Sequence, residues 1–176
     1  MDEQQRQRHT SSILTIRKAN SDDTEQIAGV LLEAAQWLEQ SGMKMWRGDE
    51  LLPSHVDADV TEGLFHLAEY DGEIAGVVKF QLEDELFWPD VPAAQSAFVH
   101  RLAVRRRFAG RGVSTALLAW AVERARSLRR DYLRLDCEAS RSKLRSLYEN
   151  FGFRHHSDRQ VGPYFVSRYE YEIGRK

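Results

Sequence analysis

The residues best suited to chemistry lie in one run, Leu102–Val113, where a predicted strand passes through a glycine-bearing turn into a predicted helix. Gly110 and Gly112 allow the backbone to approach a ligand closely and to adopt conformations that other residues avoid. The amides of such a turn and of the first helical turn point outward together, so they form an anion site suited to a pyrophosphate. Arg107 and Arg111 can add charge-assisted contacts.

Other phosphate-binding motifs fit this run less well. A Walker loop ends in Gly-Lys-Ser/Thr, whereas this chain has Gly-Arg-Gly-Val, and a dinucleotide fingerprint needs three spaced glycines. Taken alone, Arg-x-x-Gly-x-Gly is better explained as a tight turn within a surface arginine cluster.

A second motif, Leu147-Tyr148-Glu149-Asn150-Phe151-Gly152-Phe153, changes that balance. With both motifs in this order, the chain resembles the GNAT superfamily of acetyl-CoA-dependent N-acetyltransferases. The family's pyrophosphate loop matches Arg107-x-x-Gly110-x-Gly112, and its late helix and following Gly-Phe match the second motif. The resemblance extends over about Ile13 to Ile173 and includes the order of the elements.

The resemblance implies that an amine attacks the thioester of acetyl-CoA directly in a ternary complex, with acetyl-CoA as co-substrate and no metal. The pantetheine arm would pair with the strand backbone, where an amide would polarise the thioester carbonyl. Contacts with the coenzyme are expected from Leu102, Ala103, Val104, Arg107, Phe108, Ala109, Gly110, Arg111, Gly112, Val113 and Ser114.

Tyr148 matches the family's general acid, which protonates the departing thiolate. From periodicity alone Tyr148 is a core aromatic, because it shares a helix face with Leu144 and Phe151. One departure from the family lies seven residues earlier, where Arg141 replaces a frequent asparagine. Arg141 and Lys143 either contact coenzyme phosphates from the helix start or are two solvated cations.

The sequence gives weaker signals for the part of the site that would bind the acceptor amine. A lysine-like amine must lose a proton at a cost of roughly 4–5 kcal/mol at pH 7, so a base is expected. His100 is the first candidate, since strand parity places it with Leu102 and Val104; the alternative is an ordinary strand residue. Glu83, Asp84 and Glu85 either hold the ammonium of the acceptor or are solvated charges. Trp46, Phe87 and Trp88 either form an aromatic wall of the acceptor pocket or anchor their loops in the core. The acceptor would be a small-molecule or peptide amine.

The elements that position these groups follow from hydrophobic periodicity and turn signals. Their order is strand, two helices, three strands, helix, strand, helix and two strands, which gives a mixed α/β domain. Asp71-Gly72 predicts a hairpin between the second and third strands. The resemblance makes this a GNAT-like, mostly antiparallel sheet of about six to seven strands flanked by about four helices.

Composition limits the remaining choices. The chain has 176 residues and a formal net charge of -2, which fits one domain, expected at 13–176 after a flexible tail at 1–12. No apolar run approaches the roughly 20 residues of a membrane span. A single cysteine, Cys137, agrees with a reducing compartment and hence the cytoplasm. The resemblance also allows a homodimer through the last two strands.

Three alternatives to catalysis of this kind stay open. A catalytically silent coenzyme A-binding protein would keep the same fold. Cys137 as a nucleophile is disfavoured, because it lies on the apolar side of its strand. Nucleic-acid binding has weak support from two arginine clusters, the second of which has the pattern of a solvated helix face: Arg101, Arg105, Arg106, Arg107 and Arg111, and Arg124, Arg126, Arg129, Arg130 and Arg134.

Overall fold

The computed structural model describes residues 11–43, 46 and 48–174. Most of the tail predicted at 1–12 therefore lies outside the described residues. The strands are β1 (Leu14–Lys18), β2 (Phe65–Tyr70), β3 (Glu73–Gln81), β4 (Ser96–Val104), β5 (Tyr132–Glu138), β6 (Arg154–Val161) and β7 (Tyr164–Glu172). The α-helices are α1 (Thr24–Gln40), α2 (Pro53–Thr61), α3 (Val113–Ser127) and α4 (Ser142–Phe151), and 3₁₀ turns lie at Ser21–Asp23, Gly48–Leu51 and Arg106–Phe108.

The strands form one sheet in the order β1-β2-β3-β4-β5-β7-β6. Each neighbouring pair is antiparallel except β4 and β5, which run parallel. Asp71 and Gly72 both have positive φ, at 50° and 83°, as the predicted hairpin requires. The mixed, mostly antiparallel sheet with four flanking helices confirms the expected fold class.

Helices cover both faces of the sheet. On one face α3 and α4 pack on β3, β4 and β5 through a cluster that includes Leu117, Leu118 and Tyr148. On the other face α1 and α2 bury a second cluster that includes Ile27, Val56 and Val77. Within the described ranges, no helix has the length and apolar character that a membrane crossing needs.

The two central strands pair over only a short stretch. β4 and β5 pair from Ser96 with Tyr132 to Phe98 with Arg134, and beyond that point they diverge. The gap opens toward the end of β4 that leads into the glycine turn. A cavity therefore forms where the sheet is interrupted.

A bulge in β4 separates residues that strand parity would have grouped. The pairing of β3 with β4 slips by one residue between Val77 and Lys79, and Arg101 has φ of 55°. His100 pairs with Lys79, on the face where Lys79 meets α2, whereas Leu102 and Val104 pack on the face of α3. The prediction that His100 shares a face with those two residues was therefore wrong, because the bulge resets the alternation.

Candidate functional site

A cavity of about 450 Å³ lies where β4 and β5 diverge. His100, Arg101 and Leu102 line it from β4, and Asp136 and Cys137 line it from β5. Residues from α4 and from the segments that follow α1 and β3 complete its walls: Arg141, Leu144, Tyr148, Trp46, Glu50, Asp84 and Phe87. The cavity thus collects charged groups from five separate parts of the sequence.

Three of these groups form a chain of proton acceptors. The Nε2 atom of His100 lies 2.8 Å from Oδ2 of Asp84, and its Nδ1 atom lies 3.8 Å from Oδ2 of Asp136. The other oxygen of Asp84 accepts a hydrogen bond from the amide of Phe87 at 2.9 Å, which fixes the carboxylate. Asp84 therefore holds the Nε2–H tautomer of His100 and leaves Nδ1 as the acceptor atom of the ring.

Sequence reasoning named His100 and Asp84 but missed Asp136. The signal was present, because Leu133, Leu135 and Cys137 alternate on one side of β5 and so place Asp136 on the other. A single carboxylate on a strand is easily taken for a solvent-facing residue. Here its side chain is only 9% exposed.

Burial raises the pKa of both carboxylates, but their net pKa shifts have opposite signs. Burial raises the pKa of Asp136 from 3.8 to about 6, and the nearby charge of His100 only partly offsets it. Burial also acts on Asp84, but its hydrogen bond with His100 prevails and holds the pKa of Asp84 below its ordinary value. Oδ2 of Asp136 is buried without a hydrogen-bond partner among the described residues. This oxygen can therefore accept a hydrogen bond from a ligand.

The same three side chains bring their ligating atoms within 4.8 Å of one another, a spacing that a metal ion could use. Nε2 of His100 lies 2.8 Å from Asp84 and Nδ1 lies 3.8 Å from Asp136. The shorter contact is that of a shared proton, so the three side chains are suited to proton transfer as well as to a cation.

Tyr148 lines the cavity from α4 and is 5% exposed. Burial raises the pKa of Tyr148 well above its ordinary range, so the phenol keeps its proton at neutral pH. Cys137 lies nearby, and burial raises the pKa of its thiol to about 12, which leaves it a poor nucleophile. The cavity therefore holds a proton donor opposite the His100 chain of acceptors.

Arg141 and Lys143 separate in the structure. Arg141 lies in the cavity wall, where burial lowers its pKa and the neighbouring Tyr148 and Cys137 oppose that shift. Lys143 is exposed and stands outside the cavity lining.

The predicted pyrophosphate turn follows β4 directly. Gly110 and Gly112 have φ of 75° and 77°, and Gly112 caps the start of α3. Within the described part of the chain, no backbone carbonyl accepts a hydrogen bond from the amides of Gly110, Arg111 or Gly112. These amides and the first turn of α3 are thus available to an anion.

The side chains around this turn fall into two groups. Phe108 and Val113 are buried and anchor the turn to the core, so they can offer a ligand only their backbone. Arg107 is exposed and lies 2.7 Å from Glu73, while the guanidinium of Arg111 lies over the rings of Tyr70 and Phe108. Of the other expected contacts, Ala103 packs in the second cluster, Ala109 is exposed and Ser114 is half-buried.

The aromatic wall is only partly as expected. Trp46 and Phe87 line the cavity, but Trp88 is 2% exposed, and the guanidinium groups of Arg134 and Arg168 lie 5.3 and 4.5 Å from its ring centroid. Trp88 is therefore a core anchor, and its assignment to the acceptor pocket was wrong. The neighbouring Glu83 and Glu85 are exposed and do not line this cavity either.

The two arginine clusters do not form continuous basic surfaces. Arg101 points into the cavity, and Arg134 is 5% exposed and pairs with Glu170 at 3.1 Å. Arg105 and Arg107 have acidic neighbours in Glu33 and Glu73. This distribution weakens the nucleic-acid interpretation.

Comparison with known proteins agrees with this geometry. The sequence pattern of the Acetyltransferase (GNAT) family matches residues 30–153. The uncharacterized N-acetyltransferase YesJ of Bacillus subtilis is 34% identical over 140 residues, which cover 75% of this chain and 77% of the relative.

Two solved structures share the fold. A GNAT-family acetyltransferase from Listeria monocytogenes superposes with a TM-score of 0.75 at 22% identity, over 91% of this chain and 95% of its own. The PaiA N-acetyltransferase of Thermoplasma acidophilum, solved with coenzyme A, gives a TM-score of 0.72 at 17% identity, over 90% and 99%.

Proposed function

The chain belongs to the acetyltransferase (GNAT) family, and from that premise we propose that it transfers an acetyl group from acetyl-CoA to a primary amine by direct attack in a ternary complex. The observation that carries the proposal is the cavity between β4 and β5, which holds the acceptor chain Asp84–His100–Asp136 together with the protonated Tyr148. It adjoins the strand that leads into the glycine turn.

The coenzyme would lie along β4 and end at the turn. Its pyrophosphate meets the amides of Gly110 to Gly112 and the start of α3, with Arg107 and Arg111 beside it. The pantetheine arm pairs with the backbone of Leu102 and Val104 where β5 has moved away. This path places the thioester in the cavity, where an amide near Leu102 stabilises the developing oxyanion.

The acceptor enters as an ammonium ion and must lose a proton before it attacks. It would donate to Oδ2 of Asp136 and to Nδ1 of His100, which satisfies the buried oxygen. His100 takes the proton at Nδ1, and the resulting imidazolium is stabilised by the neighbouring carboxylates of Asp84 and Asp136. Asp84 positions the ring and does not itself touch the amine.

The free amine then forms a bond to the carbonyl carbon, and the carbon–sulfur bond breaks as the nitrogen loses its second proton. Tyr148 donates its proton to the departing thiolate and is reprotonated by the proton that the nitrogen releases, while His100 returns its own proton to solvent. A thiol of pKa about 8.5 is a fair leaving group, so this contribution is useful but modest. Arg141, beside Tyr148, keeps positive charge close to the sulfur.

The test combines binding and turnover. Calorimetry with acetyl-CoA should give micromolar binding that an Arg107→Ala, Gly110→Ala double variant loses, while Arg154→Gln, at an exposed site on β6, keeps it. His100→Gln should retain binding but lose most of the thiol release that follows addition of an accepted amine. A folded protein that does not bind acetyl-CoA contradicts the proposal, and binding without acetylation of any amine leaves a silent coenzyme A-binding protein instead.

Several expectations from the sequence stay predictions. We propose that residues 13–176 form one N-acetyltransferase domain, that the protein acts in the cytoplasm, and that the last two strands allow a homodimer. Sedimentation of the purified protein checks the last of these.

A further inference from the structure

Arg101 is a cavity residue that the proposed acetyl transfer does not use. Its side chain is 24% exposed, and its Nη1 atom is buried without a hydrogen-bond partner among the described residues. Nη2 lies 3.4 Å from Oε2 of Glu50, a long contact, and the guanidinium lies 5.0 Å from the ring centroid of Trp46. A guanidinium withdrawn from water with an unused donor costs free energy unless an anion meets it.

An irregularity in the backbone of β4 brings the side chain of Arg101 into the cavity. Successive side chains of a regular strand point to opposite faces, so His100 and Arg101 should not line one cavity. The φ of 55° at Arg101 and the slipped pairing with β3 let both of them do so. An arginine in the left-handed region is strained by roughly 1–2 kcal/mol, and such strain is kept mainly where it serves a site.

We infer that Arg101 recognises a carboxylate on the acceptor, so that the acceptor is a small amino carboxylate such as an amino acid; this inference rests on the acetyl transfer proposed above. The planar donors of a guanidinium match a carboxylate in a bidentate pair. The ammonium end would lie at His100 and Asp136. Since His100, Asp136 and Arg101 all line one cavity of about 450 Å³, one small zwitterion can meet all three.

The surroundings of Arg101 favour this class of acceptor over a plain polyamine or a protein lysine. Lys79, also in the cavity wall, is paired with Asp59 at 2.9 Å, whereas Nη1 of Arg101 has no hydrogen-bond partner among the described residues. Glu50 occupies only one nitrogen of the guanidinium and does so loosely. A ligand carboxylate would replace that contact with two shorter ones, and Trp46 would stay stacked on the guanidinium plane.

The experiment compares amines that differ only in the carboxylate. Acetyl transfer is measured for the twenty L-amino acids and for their primary amides, with wild type, Arg101→Gln, Glu50→Gln and the exposed-site control Arg154→Gln. Glutamine at position 101 keeps the same backbone requirement as arginine, so the substitution changes charge and not strain. Calorimetry with the corresponding N-acetyl-amino acids gives a second readout that does not depend on turnover.

We expect at least one amino acid to exceed its amide by about tenfold or more in kcat/KM, the scale of a charge-assisted hydrogen bond. Arg101→Gln should abolish that preference, mainly through KM, and should weaken the N-acetyl product to the same degree. Glu50→Gln should strengthen binding of the carboxylate, because it removes a competitor and a repulsive charge. A purely structural Arg101–Glu50 pair predicts instead that both variants lose activity together.

Two results would overturn the inference. One is a wild type that acetylates amides or simple amines as well as amino acids; this leaves the proposed acetyl transfer intact. The other is an amino-acid preference that survives in Arg101→Gln. Failure to acetylate any amine, with acetyl-CoA binding intact, refutes the proposed function itself and the inference with it.

Discussion

Asp136→Asn removes a carboxylate that the cavity keeps from water and should therefore stabilise the fold while it weakens catalysis. The pKa of Asp136 rises from 3.8 to about 6 because of burial. A group whose pKa is raised on folding favours the folded state while it is protonated, and this contribution is lost as the pH rises. The window lies between about pH 4 and about pH 6.

The magnitude follows from the same shift. Each tenfold change in acid dissociation corresponds to about 1.4 kcal/mol, so the ionised Asp136 lowers the free energy of unfolding by about 3 kcal/mol at pH 8. Asparagine has the same shape without the charge. The variant should be more stable than wild type by up to about 3 kcal/mol at pH 8, with little difference at pH 3.5.

Denaturant unfolding of wild type and Asp136→Asn at these two pH values measures the difference directly. Glu85→Gln, which neutralises an exposed carboxylate just outside the cavity, is the matched control and should show no such pH dependence. Acetyl transfer by wild type should rise with pH through about 6, and Asp136→Asn should lose that rise along with most of its activity. Equal stability differences at both pH values, or a variant less stable at pH 8, would refute the reasoning.

Three further changes probe other parts of the molecule. Tyr148→Phe should lower kcat by about ten- to hundredfold and leave acetyl-CoA affinity unchanged in calorimetry, since only a proton donor is lost; an unchanged kcat for every amine would remove Tyr148 from the mechanism. Gly112→Ala should destabilise the fold by about 1–2 kcal/mol and weaken acetyl-CoA, because alanine resists the φ of 77°; unaltered affinity would argue against the turn as the anion site. Arg168→Met should lower unfolding free energy by about 2–3 kcal/mol, because bonds to Asp90 and to the carbonyl of Phe87 are lost; thermal unfolding identical to wild type would contradict that.

The glycine turn, where we propose that the coenzyme binds, could be predicted because its signals are local. Asp71-Gly72 and the turn at Gly110 and Gly112 each need positive φ, and glycine or aspartate in such a place is visible in the sequence. The periodicity before and after these turns then fixed the order of the elements. A turn that needs positive φ selects particular residue types at that position, so the sequence itself shows it.

The acceptor side could not be predicted to the same depth because it depends on tertiary pairing. The residue types around Arg101 do not predict a bulge, yet the bulge determines on which face of the sheet His100 lies. Asp136 becomes notable only when β5 is buried on both faces. Trp88 was misassigned because an aromatic residue in an irregular segment can face either a ligand or the core, and its two arginine neighbours come from distant strands.

The contacts that Arg168 makes around Trp88 also have a consequence for the order in which the protein folds. Arg168 of β7 holds the segment after β3 through Asp90 and the carbonyl of Phe87, contacts that join residues 78 and 81 positions apart. Asp84, which orients His100, lies in that same segment. Contacts of such long range form late and slowly. In a nascent chain the glycine turn is therefore synthesised well before β7, and the base that we propose at His100 would be oriented only once β7 has joined the sheet.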